Sequence, residues 1–193
     1  MERTTKEDIM RKALHLLGIL EDIDIDWMAT NGTVRSMSAG AVLIQERKPI
    51  DSLFILLDGQ LSVTVGGVIG QHVATLLPGE IVGEISFVDA HPPSASVTAT
   101  ASSQVLAISR ELLSAKLAKD PAFAMRFYHS VATFLADRLY VTVGRFGYGS
   151  AQQDVDVDEL SDVSIDEIDL ATVRFDKLLR RLRGDEKARS ASM

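Results

Sequence analysis

Between Thr33 and Ser109 apolar residues recur at every second position in short runs, and turn residues separate the runs roughly every 8–12 positions. Val42 and Ile44; Leu53, Ile55 and Leu57; Leu61, Val63 and Val65; Val73, Thr75 and Leu77; Val97, Ala99 and Ala101; and Val105, Ala107 and Ser109 all follow this rule. A period of two puts alternate side chains on one face of a strand. Asp58-Gly59 joins two runs as a tight hairpin, and Gly66-Gly67-Val68-Ile69-Gly70 makes a looser one. Many short strands with close turns predict an eight-stranded β-roll, a small jelly-roll-like barrel.

Helical patterns flank this block. Thr4-Thr5-Lys6-Glu7 reads as a capping box ahead of Ile9, Ala13, Leu16 and Leu17. Asp24 is expected to cap a short second helix through Trp27 and Met28, stopped at Asn31-Gly32. Leu112, Leu113 and Leu117 mark a helix from Arg110 to Lys119. Asp120-Pro121 breaks it, and Pro121 suits the first position of a new helix running to about Val143. That long helix carries two apolar stripes, Phe123, Phe127, Val131 and Phe134 on one, Tyr128, Ala132, Leu135, Leu139 and Val143 on the other. Two apolar faces need two partners. The roll supplies one, and a second copy of the chain is the expected other, giving a homodimer through 121–143.

Gly144, Gly147 and Gly149 open a linker, acidic from Asp154 to Glu159. Ser164-Ile165-Asp166-Glu167 is a second capping box, followed at helical spacing by Ile168, Ala171, Phe175, Leu178, Leu179 and Leu182. Acids at the start and Arg180, Arg181 and Arg183 at the end suit the helix dipole. The expected class is α+β: a domain at 1–143, a linker at 144–163 and an amphipathic tail helix at 164–183. The tail is expected either to fold back on its own domain or to dock on a protein partner through Phe175, Leu178, Leu179 and Leu182.

Composition narrows function by exclusion. The chain has 193 residues, a net charge of −7 and 46% hydrophobic residues. Such a charge disfavours general affinity for nucleic acid or anionic membrane. The chain has no cysteine, which removes disulfides and thiolate metal sites and fits a reducing compartment. No run of about 18 apolar residues offers a membrane span, and the N-terminal residues lack a secretory pattern. A cytoplasmic protein is expected. His15, His72, His91 and His129 show no ligand spacing, and the roll has no His-x-His pair, so no metal site is expected. Ser86, Asp89 and His91 lack the Gly-x-Ser-x-Gly setting of a hydrolase. The expectation is a non-enzymatic protein with no catalytic residues and no cofactor.

One stretch carries chemistry. In Val82-Gly83-Glu84-Ile85-Ser86 a carboxylate follows a glycine at the start of a short helix, and Pro92-Pro93-Ser94-Ala95-Ser96-Val97 leads into a strand. The order of helices, eight short strands, a break and a long apolar helix resembles the cyclic nucleotide-binding domain of the catabolite-activator and protein-kinase regulatory-subunit superfamily, over roughly Leu14 to Val143. Gly40-Ala41-Val42-Leu43-Ile44 is similar to that family's early strand, and Asp51 to Gly59 to its most recognisable hairpin. Pro78-Gly79-Glu80-Ile81-Val82-Gly83-Glu84-Ile85 is similar to the entry of its phosphate-binding cassette. The resemblance implies a cyclic nucleotide, cAMP or cGMP, as ligand, and Gly83, Glu84, Ile85, Ser94, Ala95 and Ser96 as the residues around it. Glu84 matches the glutamate that holds the ribose 2′-hydroxyl, and Ser96 a position where a hydroxyl often contacts ligand.

The sequence departs from the family at one decisive position. Pro93 falls where the family's arginine grips the cyclic phosphate. Arg47 also replaces a usual glycine in the turn after the second strand. The relatives that act as transcription factors follow the long helix with a helix-turn-helix. The residues after Val143 begin acidic and offer no such module, so no DNA binding is expected. The expected function is a stand-alone regulatory or sensor module with weakened or altered ligand binding. The alternative is a ligand-independent dimeric scaffold that docks a partner through its tail helix.

Overall fold

The computed structural model describes residues 15–147 and 165–190. Two helices come first, α1 (His15–Ile19) and α2 (Asp22–Asn31). Five strands follow: β1 (Thr33–Met37), β2 (Val42–Ile44), β3 (Ser52–Asp58), β4 (Leu61–Val65) and β5 (Gln71–Leu76). Next come β6 (Ile81–Val82), α3 (Glu84–Asp89), β7 (Ser96–Ala99) and β8 (Ser103–Ser109). The chain continues in α4 (Arg110–Lys119), the long α5 (Pro121–Gly147) and the tail helix α6 (Ile165–Ser190).

The eight strands form two four-stranded antiparallel sheets, ordered β1-β8-β3-β6 and β2-β7-β4-β5. They face each other as a roll and do not close into a barrel. In the first sheet Leu53 opposes Ile108 and Ile55 opposes Leu106. In the second, Leu61 opposes Ala99 and Val63 opposes Val97.

β3 is buried from Ser52 through Leu57, on both faces. Period two explains this once each face is assigned its own core. Leu53, Ile55 and Leu57 join Leu106, Ile108 and the helices in one cluster, whereas Phe54 and Leu56 join Ile44, Leu61, Leu76, Val97 and Val105 between the sheets. The first sheet is therefore the middle layer, with the second sheet on one side and helices on the other. Gly59 turns the chain out of β3 at φ +87°, and a Cβ there would overlap Ser103 Oγ and the Ser102 carbonyl. Only glycine meets both conditions.

The helices pack as their stripes require. Phe123, Phe127, Val131 and Phe134 of α5 are buried, with Phe123 and Phe127 rings 5.9 Å apart. Asp120 starts α5 by accepting the Phe123 N–H at 3.0 Å, with Pro121 behind it. The second stripe of α5 faces outward: Tyr128, Ala132 and Leu139 are exposed. Leu135 packs partly against the core, and the side chain of Val143 lies outside the described set.

Three details differ from the sequence expectation. Helix α2 begins at Asp22, and Asp24 is not its cap: its carboxylate reaches back to accept the Glu21 N–H at 2.8 Å. The long helix runs through Gly144 to Gly147, four residues past Val143. One glycine costs a helix only about 1 kcal/mol. The tail helix likewise passes through Gly184 to Ser190. Of the two positions expected for its apolar face, the helix takes the one on its own domain: Ala171, Leu178 and Leu182 are buried and Phe175 and Leu179 pack on the chain's own core. The helix read from Thr4 onward and the acidic stretch from Asp154 to Glu159 lie outside the described residues. Among the described residues, no helix is long and apolar enough to cross a membrane.

Candidate functional site

Gly83 closes β6 and opens α3 with φ +91°, and a Cβ on it would press to 2.8 Å from Ile50 Cδ1. That turn delivers Glu84 into the interior at 2% exposure. On the other side of the cassette, Ser96 begins β7 and is fully buried. Val82 and Val97, the neighbours of Gly83 and Ser96, belong to the same intersheet cluster. The fold thus brings the two halves of the cassette together from the two facing sheets, β6 in the first and β7 in the second. Of the other expected residues, Ile85 and Ser94 point outward and Ala95 is half-buried.

Glu84 is not alone. Arg138, on α5, donates from Nη1 to Glu84 Oε1 at 2.9 Å, and its Nη2 lies 3.6 Å from Glu80 Oε2. The guanidinium also stacks 4.3 Å from the ring centre of Phe134, one turn earlier on α5. Charge-assisted bonds and ring stacking both suit arginine's planar fork. Burial pushes the Glu84 carboxyl above the usual glutamate range, while Arg138 and the backbone N–H groups of Glu84 and Gly83 pull it back. The sequence reading missed Arg138 and Glu80. The available signal was the i, i+4 pair of Phe134 and Arg138, an aromatic and a cation on a stripe otherwise apolar.

Pro93 is buried, and its carbonyl accepts the Arg47 N–H at 2.8 Å. Ser96 Oγ accepts the Glu46 N–H at 3.1 Å. The Glu46 carboxylate in turn accepts the N–H groups of Gly66 and Gly67 at 2.8 and 2.9 Å, and these bonds hold it below the usual range. One turn, Glu46-Arg47, therefore ties the β4–β5 hairpin to the cassette loop. Arg47 sits at φ +63°, a conformation that a glycine adopts freely. Its Nε lies 3.6 Å from Glu46 Oε1, and its side chain is 89% exposed. Arg110 closes the other end of α3 by donating to the carbonyls of Ser86 and Phe87 at 2.7 and 3.1 Å. Among the described residues, no group of three or more potential metal ligands occurs.

Comparison with known proteins agrees with this architecture. Residues 34–120 match the cyclic nucleotide-binding domain family. A cyclic nucleotide-binding domain from Methylobacillus flagellatus KT shares the fold with a TM-score of 0.64 at 20% identity, over 77% of this chain and 88% of that one. The N-terminal domain of a transcriptional regulator from Streptomyces coelicolor A3(2) gives a TM-score of 0.56 at 24% identity, over 65% and 94%. Among curated proteins, Glutaminase 1 of Bradyrhizobium diazoefficiens is 29% identical over 126 residues, 64% of this chain. The match spans only 20% of that enzyme's length. The layered roll, the glycine-led α3 with its buried glutamate and the matched segment agree: residues 34–120 of this chain are a domain of the cyclic nucleotide-binding family.

Proposed function

We propose that the chain is a non-enzymatic regulatory module in which the cassette is latched to the long helix and binds cyclic nucleotides weakly or in an altered way. The observation that carries this reading is the Glu84–Arg138 contact at 2.9 Å. The carboxylate that matches the family's ribose ligand is already engaged by a cation of the protein's own. A ribose hydroxyl entering beside Glu84 must compete with a charge-assisted bond.

Pro93 supports the same conclusion from the phosphate side. A hydrogen bond to a charged group contributes about 1.5–3 kcal/mol net. Proline offers neither a cation nor a backbone N–H. Losing the anchor weakens binding by about tenfold to a hundredfold, since about 1.4 kcal/mol is tenfold. The ligand residues proposed for the pocket are Gly83, Glu84, Ile85, Ser94, Ala95 and Ser96. A ligand acts here only through its differential affinity for latched and unlatched states. Titration calorimetry with cAMP and cGMP, on the wild type and on Pro93→Arg, tests the proposal.

A second reading is favoured by the outward stripe of α5. Met125 is 69% and Leu139 63% exposed, with Tyr128 between them at helical spacing. This supports a homodimer through α5, independent of ligand. Neither reading assigns the chain the activity of its glutaminase relative.

A further inference from the structure

Helix α2 carries three aspartates at alternate positions, Asp22, Asp24 and Asp26. At about 100° per residue, Asp22 and Asp26 share one face and Asp24 takes the opposite one. The structure uses both faces. Toward the tail helix, Lys177 Nζ lies 2.9 Å from Asp22 Oδ2 and 3.4 Å from Asp26 Oδ2, and Arg181 Nε lies 3.0 Å from Asp26 Oδ1. Arg174 completes this stripe, donating to the Gly18 carbonyl at 2.7 Å with its Nε 3.5 Å from Asp22 Oδ1. Toward the long helix, buried Asp24 takes both prongs of Arg126, Nε at 2.7 Å and Nη2 at 2.9 Å. Glu21 adds a contact to Arg126 at 3.4 Å.

We propose that α2 is a transmission helix and α6 a releasable strap: α5 holds one face of α2 through Arg126 and Asp24, and α2 holds the strap through Asp22 and Asp26. A releasable strap is favoured over a fixed core helix because the outer part of its polar hold is exposed, although Arg174 at its inner end is largely buried. Asp22 is 65% and Arg181 59% exposed, so the clasp is screened by salt and sensitive to small shifts of α2. By contrast, the Asp24–Arg126 grip is buried and two-pronged, the geometry of a rigid coupling. Arg126 lies on the same helix as Arg138, about 18 Å away at 1.5 Å per residue. A displacement of α5 therefore reaches α6 through α2. When the strap leaves, Phe175, Leu178, Leu179 and Leu182 are uncovered as an apolar seam.

The test is hydrogen exchange on the full chain, with no nucleotide present, so its outcome is independent of the ligand reading above. In the wild type, raising salt from about 0.05 M to about 0.5 M shortens the screening length. The amides of α6 between 171 and 182 then exchange about tenfold faster, while those of β3 and β8 stay unchanged. Asp22→Asn with Asp26→Asn, near-isosteric changes at an exposed and a half-buried position, gives the same selective acceleration at low salt. Arg126→Lys keeps the charge, loses the second prong, and also accelerates α6 although Arg126 lies on α5. Unchanged α6 exchange in salt and in the aspartate variant overturns the clasp. Acceleration by the aspartate variant but not by Arg126→Lys overturns the transmission. Equal acceleration in β3, β8 and α6 overturns the idea of a separate strap.

Discussion

At the scale of single residues, the cassette is held by groups that strain or charge it. Arg47 keeps a left-handed backbone at φ +63° that costs a residue with a Cβ about 1–2 kcal/mol. Arg47→Gly is expected to raise unfolding stability by about 1 kcal/mol, read as a higher midpoint in urea; a lower midpoint places the value of Arg47 in its side chain. Glu84 gives a pH signature. Its carboxyl is raised by burial, so the folded state binds that proton more tightly than the unfolded chain does. Its contribution to stability therefore falls as pH rises from the ordinary glutamate pKa through the raised one. Glu84→Gln removes that fall, and urea midpoints measured from pH 4 to neutrality become flatter. Asp22 and Asp26 have the opposite sign, being lowered mainly by bonds to Lys177 and Arg181 respectively. Their contribution is full above the unfolded aspartate value and is lost on acidification through the lowered one, in the wild type and in Glu84→Gln alike. The buried turn of Gly83 and Glu84 was legible as a glycine before a carboxylate, and Pro93 stood out only through the resemblance to the family. Arg138 was not, because it lies 54 positions from Glu84 and only the packing of α5 brings them together.

At the scale of elements, period located six of the eight strands and the apolar stripes of the described long helices, and failed at ends and at the short β6. Gly144 read as a stop and the tail helix as ending at 183, yet α5 and α6 continue through Gly144 and Gly184 because packed stripes outweigh a cost of about 1 kcal/mol. Asp24 read as a cap because its type favours one; the helix starts two residues earlier and employs it from inside. The tail helix was legible as amphipathic, but its partner was not, since a seam of Ala171, Phe175, Leu178 and Leu182 fits any apolar groove. The groove proves to be the chain's own. Leu178 is fully buried there, and Leu178→Ala is expected to cost about 2–5 kcal/mol. Differential scanning calorimetry checks this: a loss below about 0.5 kcal/mol shows that the docked tail contributes little to folding.

At the scale of the whole molecule, alternation dictated a two-sheet roll, and β3 shows how far the pattern reaches. One strand serves two cores because its odd-numbered residues face the helices and its even-numbered residues face the second sheet. That layering places α5 across the cassette, with one stripe buried and Met125, Tyr128 and Leu139 open to solvent. If a second copy covers them, Leu139→Glu converts a dimer to a monomer in sedimentation velocity, with its thermal midpoint no longer dependent on protein concentration. A wild type that sediments as a monomer at about 100 μM, above the micromolar affinities of weak interfaces, contradicts that reading.

Calorimetry reads the latch between the cassette and α5. Titrating cAMP and cGMP into the wild type, Pro93→Arg and Arg138→Ala measures what the missing cation and the engaged carboxylate each remove. Binding to the wild type is expected to be weak or undetectable, and to tighten by about tenfold to a hundredfold when arginine is restored at position 93. Arg138→Ala frees Glu84 and is predicted to tighten binding in the same direction. Sub-micromolar binding of either nucleotide by the wild type, unchanged by Pro93→Arg, contradicts the latch.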